Sequence, residues 1–188
     1  MRGRTGEANM NRLLVLVSIA FALAPAASLA QSQQPYAGLE MRSIKALSDQ
    51  QIADLKAGRG MGLALAAELN GYPGPMHVLE LADSLELSAQ QRAKVQELFA
   101  AMKSEAVPLG EKLIAQEADL DKRFANNTIT SASLAASMDA IGATHATLRG
   151  THLKYHLFTI DVLTPAQVQR YVELRGYRAG MQHPHGRH

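Results

Sequence analysis

Three times this chain places a Leu, then a Ser or Thr, then a Gln three residues after the hydroxyl. The stretches are Leu47-Ser48-Asp49-Gln50-Gln51, Leu87-Ser88-Ala89-Gln90-Gln91 and Leu163-Thr164-Pro165-Ala166-Gln167. In a capping box the hydroxyl accepts the N3 backbone N–H, and the Gln side chain reaches back to the N-cap N–H. Pro165 falls at N1, where a missing donor costs nothing. The Leu before each hydroxyl can staple onto the N4 residue, with Ile52 and Val168 present in two of the cases. Three helix starts are therefore fixed at known positions, and no segment alternates in the manner of a strand bounded by hairpin turns. An all-α fold is expected.

The first box opens a helix running towards Gly58. A short helix from about Met61 ends at Asn70-Gly71, the Tyr72-Pro73-Gly74-Pro75 corner follows, and another short helix covers about Met76 to Ser84. Ser88 opens the longest helix, in which Val95, Leu98, Phe99, Met102, Ala106, Leu109, Leu113, Leu120 and Phe124 form one apolar stripe. Pro108 lies inside it and predicts a bend. After Asn126-Asn127-Thr128, Thr130 or Ser131 caps a third long helix reaching about Val162. Two long helices joined by a short polar loop form an antiparallel hairpin. The expected architecture is a bent hairpin of long helices with short flanking helices, arranged as a leader over 1–30, a flexible segment over 31–43, a helical domain over 44–177 and a mobile His-containing tail over 178–188.

Within the first thirty residues, Arg2, Arg4 and Arg12 precede an apolar run from Leu13 to Leu23, Pro25 follows, and Ser28 and Ala30 stand at −3 and −1 before Gln31. This is the pattern of a cleaved secretory signal peptide, which implies export to the periplasm; the alternative is a retained anchor over Leu13 to Ala30. The formal charge is +2, from 19 basic and 17 acidic residues; three Arg and one Glu lie in the leader, which leaves sixteen of each sign in the remainder. A neutral mature chain argues against nucleic acid as a partner. With 0 Cys, disulfides, thiolate metal sites and Cys nucleophiles are all excluded.

The seven His are the residues most open to chemistry. His145, His152 and His156 are spaced by seven and four, which puts them within about 40° of one another around a helix. Leu134, Met138, Ile141, Leu148 and Tyr155 share that face. Either the imidazoles are core residues satisfied by polar neighbours, or His152 and His156 form half of a site for Zn, Cu, Ni or Co. His145, about two turns from His152 and three from His156, cannot share the ion of His156. The residue after His152 is Leu153, not the Glu of a zinc protease, so hydrolytic metal chemistry is not expected. Met181, His183, His185 and His188 make a second set of donors in the tail. His77, near Glu80, is a third and weaker one. Gly58-Arg59-Gly60-Met61-Gly62 has neither a preceding strand nor a following Lys-Ser/Thr, which argues against a phosphate loop. No organic cofactor and no enzymatic activity are expected.

With its leader, helical body and two copies of the motif at Leu87–Gln91 and Leu163–Gln167, the chain resembles the LTxxQ group of bacterial periplasmic proteins over about residues 76 to 177. That group holds the Spy/CpxP envelope-stress family and its heavy-metal resistance relatives of the CnrX and zinc-resistance-associated kind. Ser88 replaces Thr in one copy. The resemblance implies a non-enzymatic stress protein that pairs as a homodimer into a cradle. Its expected activity is binding and sensing a divalent transition metal, with His152 and His156 as ligands and His145 or the tail His183, His185 and His188 supplementing them. The alternative it implies is an ATP-independent chaperone for unfolded periplasmic clients, or an accessory to a membrane sensor protein. The neutral mature charge departs from the basic concave face typical of the chaperone branch.

Overall fold

A computed structural model describes residues 36–177 of the chain; the leader expected over 1–30 and the tail expected over 178–188 lie outside the described residues. Six helices follow in order: α1 (Asp49–Lys56), α2 (Leu65–Glu68), α3 (Pro75–Glu80), α4 (Ala89–Ala125), α5 (Ser131–Ile160) and α6 (Pro165–Leu174). A 3₁₀ turn over Leu39–Met41 precedes them, and no strand occurs among the described residues, only an isolated bridge between Ile44 and Leu47. The fold is all-α.

Each helix start follows from local chemistry. Ser48, Ser88 and Thr164 all form reciprocal capping boxes with Gln51, Gln91 and Gln167. Thr130, not Ser131, caps α5, with Ser133 returning the second bond. The two short helices are shorter than the apolar pattern predicts: α2 keeps four residues and α3 six, with turns around them. Glycines at 58, 62 and 71 adopt positive φ and break the periodicity there. The longest helix runs through Pro108 without interruption. Proline removes one backbone bond at a cost of about 3 kcal/mol, so tertiary packing holds this helix together.

That packing is organised in two apolar clusters. Ile44, Leu47, Leu55, Ala106, Leu113 and Leu148 join α1, α4 and α5. Val78, Leu85, Val95, Leu163, Tyr171 and Val172 join α3, α4 and α6. Gly110 permits the first cluster: any Cβ there would fall on the Leu55 carbonyl, so a side chain would push α1 off α4. Along α4 and α5, Glu105 accepts from Lys154 Nζ at 2.7 Å and from Tyr155 Oη at 2.8 Å, while Lys112 to Arg123 border a depression together with Ser133 to Ala140. The apolar stripe expected on α4 is buried at Val95, Met102, Ala106 and Leu113, but Phe124 at its end is exposed. Likewise Leu148 and Tyr155 of α5 are buried, whereas Leu134 and Met138 are exposed. Periodicity gave the face correctly; it could not show that no third element among the described residues lies over the far ends of both helices.

The glutamines of the second and third boxes have a further role. Gln91 Nε2 donates to Gln167 Oε1 at 2.8 Å and to the Val162 carbonyl at 2.9 Å. Gln167 Nε2 donates to Gln91 Oε1 at 3.1 Å and to the Leu85 carbonyl at 3.2 Å. Each oxygen also accepts its own N-cap N–H, from Ser88 and Thr164. Both amides thus use two donors and two acceptances apiece, their full ordinary complement. The start of α4 is thereby bolted to the start of α6. Gln51, in the first box, caps its own helix and has no such partner among the described residues.

Candidate metal centre

Helix α5 is buried only from Thr144 onward, at Thr144, Leu148, Thr151, His152, Tyr155, His156 and Thr159. His152 is 3% exposed and His156 8%. Both line one half-open cavity of about 730 Å³, whose other walls are the end of α1, the Gly58–Gly62 segment, α2, the start of α3 and Phe99, Met102 and Lys103 of α4. His145 is exposed and does not line the cavity. The three imidazoles share a helical face, but the described residues cover that face at His152 and His156 and leave it exposed at His145. His183, His185 and His188 lie outside the described residues.

The two buried imidazoles are held differently. His156 Nδ1 lies 2.6 Å from the Tyr72 carbonyl, which can only accept, so Nδ1 carries the proton. In the neutral ring the lone pair then sits on Nε2. That nitrogen lies against Gly74, where a Cβ would come within 2.9 Å of it and within 2.8 Å of Cε1. Glycine at 74 therefore leaves room at the one atom of His156 able to ligate. A backbone acceptor on the far nitrogen is the usual way of orienting a metal-bound histidine.

His152 has no such anchor. Its Nε2 is buried without a hydrogen-bond partner, and its Nδ1 side faces Gly60, where a Cβ would stand 3.5 Å away. Burial, and then the neighbouring His156, hold its pKa below the ordinary imidazole value, which favours the neutral, ligand-competent form. A buried polar atom left unpaired costs about 1–3 kcal/mol. Only one other side-chain atom among the described residues shares this condition, Gln116 Oε1, at the shallower depression between α4 and α5.

Glu68 forms the cavity wall beside His156. Its Oε1 accepts from Tyr171 Oη and from Tyr177 Oη at 2.7 Å; its Oε2 accepts the Gly74 N–H at 3.3 Å. His156 Nδ1 and Arg175 Nε each stand 3.7 Å from this carboxylate. Burial and the bond to Glu68 raise the Tyr171 pKa far above the phenolic range, so Tyr171 remains a donor. The carboxylate thus ties the C-terminal helix to the corner carrying Tyr72 and Gly74. Elsewhere on the wall, Asp54 pairs with Arg59 at 2.6 Å and Glu80 meets His77 at 2.9 Å. No group of three or more His, Asp or Glu placed to hold one ion occurs among the described residues.

Sequence reasoning located His152 and His156 but not what surrounds them. Glu68 is a buried acid in a four-residue helix, and its phenolic partners lie 103 and 109 positions away. Met61 and Met76 were legible only as helix starts, and Met102 only as core; all three line the cavity. The paired turn residues Gly58–Gly62 and Tyr72–Pro75 were the available signal, since both segments close over the same histidines. Comparison with known protein families, with characterised proteins and with solved structures gives no match.

Proposed function

We propose that this chain is an exported, non-enzymatic, metal-responsive binding protein whose ion is held by His152 and His156. The observation that carries this reading is the orphaned Nε2 of His152, placed one helical turn from a second imidazole oriented through its far nitrogen, both on one cavity. Core histidines ordinarily find a partner. Here the cost of leaving one unpaired is removed once a Lewis acid accepts its lone pair. His152 and His156 would hold the ion, which when bound would accept imidazole lone pairs as a Lewis acid; the Tyr72 carbonyl would hold His156 in the correct tautomer, and Gly74 would leave its Nε2 accessible. Glu68 connects the Gly74 corner to Tyr171 and Tyr177, so a shift of that corner on binding would be felt at the C-terminal helix.

The wider setting follows the LTxxQ resemblance: export to the periplasm behind a cleaved leader, α4 and α5 as a bent hairpin of the Spy/CpxP kind, pairing as a homodimer, and a role in envelope or heavy-metal stress. The tail histidines His183, His185 and His188 would act as auxiliary donors. A second reading, ATP-independent holding of unfolded clients, is favoured by the apolar side chains left uncovered at the far ends of α4 and α5, namely Phe124, Leu134 and Met138. Large uncovered apolar surface marks interaction sites. Suppression of the aggregation of a denatured client at stoichiometric amounts is the measurement for that reading, and its absence would eliminate it. For the metal reading, isothermal titration with Zn, Cu, Ni and Co should give saturable binding that His152→Ala with His156→Ala abolishes. Binding untouched by the double substitution would remove this site.

A further inference from the structure

The donors left free around the cavity are soft. The three wall carboxylates are already engaged: Asp54 by Arg59, Glu80 by His77, and Glu68 by two phenols and a backbone N–H. His77 also lines the cavity, but it pairs through Nδ1 with Glu80 and forms no three-residue group with His152 and His156 around one ion. With no Cys in the chain, what remains beside the two buried imidazoles is thioether sulfur. Five methionines fall in the described residues, and three of them, Met61, Met76 and Met102, line this cavity. Met102 is buried on α4, while Met61 and Met76 are partly exposed on the Gly58–Gly62 segment and the start of α3. They approach from different elements. Met41 and Met138 lie elsewhere.

Zinc, nickel and cobalt sites built on imidazole ordinarily add further imidazole, thiolate or carboxylate ligands, whereas thioether sulfur selects copper(I). We propose that the ion of this site is copper(I), taken by Nε2 of His152 and His156 together with thioether sulfur from the cavity methionines. The proposal rests on the metal reading above and adds the identity of the ion and of the further ligands. Two imidazole nitrogens and one or more thioethers are neutral donors, so the bound ion keeps its single positive charge, and no wall carboxylate has to leave its present partners. A doubly charged ion at the same place would gain no neutralisation from its own ligands.

The test uses the full chain with its methionine methyl groups labelled with ¹³C. Silver(I), a redox-inert copper(I) analogue, is added to one equivalent, and zinc(II) is added to a second sample. The expected result is movement of at least one methyl resonance among Met61, Met76 and Met102 with silver(I), and none at Met41 or Met138. Copper(I) held against a chromophoric chelator under anaerobic, reducing conditions should then bind at least tenfold more weakly when Met61, Met76 and Met102 are changed to Leu. Each single Met→Leu variant, being volume-conserving, should keep its thermal unfolding midpoint and retain an intermediate affinity.

Zinc(II) or nickel(II) binding through His152 and His156, with no cavity methyl responding to silver(I), would overturn the copper(I) proposal and leave the metal reading intact. Failure of every ion to bind would overturn both. A silver(I) response confined to Met181, beside His183 and His185 of the tail, would also overturn the proposal, since the ion would then occupy other donors.

Discussion

Two pairs of polar side chains sit inside this protein, and they are finished to different degrees. Gln91 and Gln167 exchange two hydrogen bonds, cap two helices and satisfy two distant carbonyls, leaving no donor or acceptor spare. His152 and His156, packed one turn apart on α5, have one nitrogen anchored on Tyr72 and another with no partner. A closed network rigidifies and specifies a structure; a network left open in a cavity is a place for something else to bind. The difference separates the part of the chain that holds the fold from the part proposed to respond to an ion.

The sharpest way to break this comparison is to cut into the glutamine pair. Gln167→Leu strands the part-buried Leu85 carbonyl and two groups of Gln91 and exposes the Thr164 N–H, and unpaired groups shielded from water cost about 1–3 kcal/mol each when relaxation is incomplete. A loss of about 3 kcal/mol is expected in urea unfolding, with metal binding by the residual folded protein unchanged. A loss below about 1 kcal/mol would mean that water replaces the amide and that the bolt is incidental. Gly74→Ala probes the other pair from outside. Its Cβ would press on His156 at 2.8 Å, so the ring must move. Overpacking of this kind costs about 1–3 kcal/mol, and ion affinity is expected to fall at least tenfold by titration calorimetry.

Gln51→Leu should cost only its own cap, about 1 kcal/mol, because Gln51 has no sequence-distant partner among the described residues. Equal losses for Gln51→Leu and Gln167→Leu would dissolve the distinction between the first box and the other two. The smallest change in stability is expected for His152→Leu. It removes an atom that already lacks a partner, so chemical unfolding should shift by less than about 1 kcal/mol in either direction. The same variant should lose ion binding. A stable, ion-blind His152→Leu protein beside an unstable, ion-competent Gln167→Leu protein would be the clearest form of the contrast.

Much of the framework was legible because capping is local. Ser48, Ser88 and Thr164 announce their helices within four residues, and the structure places all three starts where the motif puts them. The mutual bonding of Gln91 and Gln167 was not legible, since it joins positions 76 apart. The same limit applies to the cavity. The i,i+4 spacing of His152 and His156 showed that they share a face, but not that Gly60 and Gly74 would press against them or that Glu68 would meet Tyr171 and Tyr177. His145 obeys the same periodicity and ends in solvent, because burial depends on which element lies above a face and not on the face alone. Helix α2 was overextended for a related reason: positive-φ glycines at 62 and 71 cut the apolar pattern into turns, whereas α3 gives way to turns after Glu80 with no glycine there.

The most direct test of the central claim is the ion occupancy of protein purified without a tag and without chelator, compared with the His152→Ala/His156→Ala double variant under one protocol. One equivalent of a transition metal in the parent, reduced at least tenfold in the variant while its helical circular dichroism is retained, is the result expected. Equal metal content in the two proteins, or none in the parent even after saturation with copper(I), zinc(II), nickel(II) and cobalt(II), would contradict it.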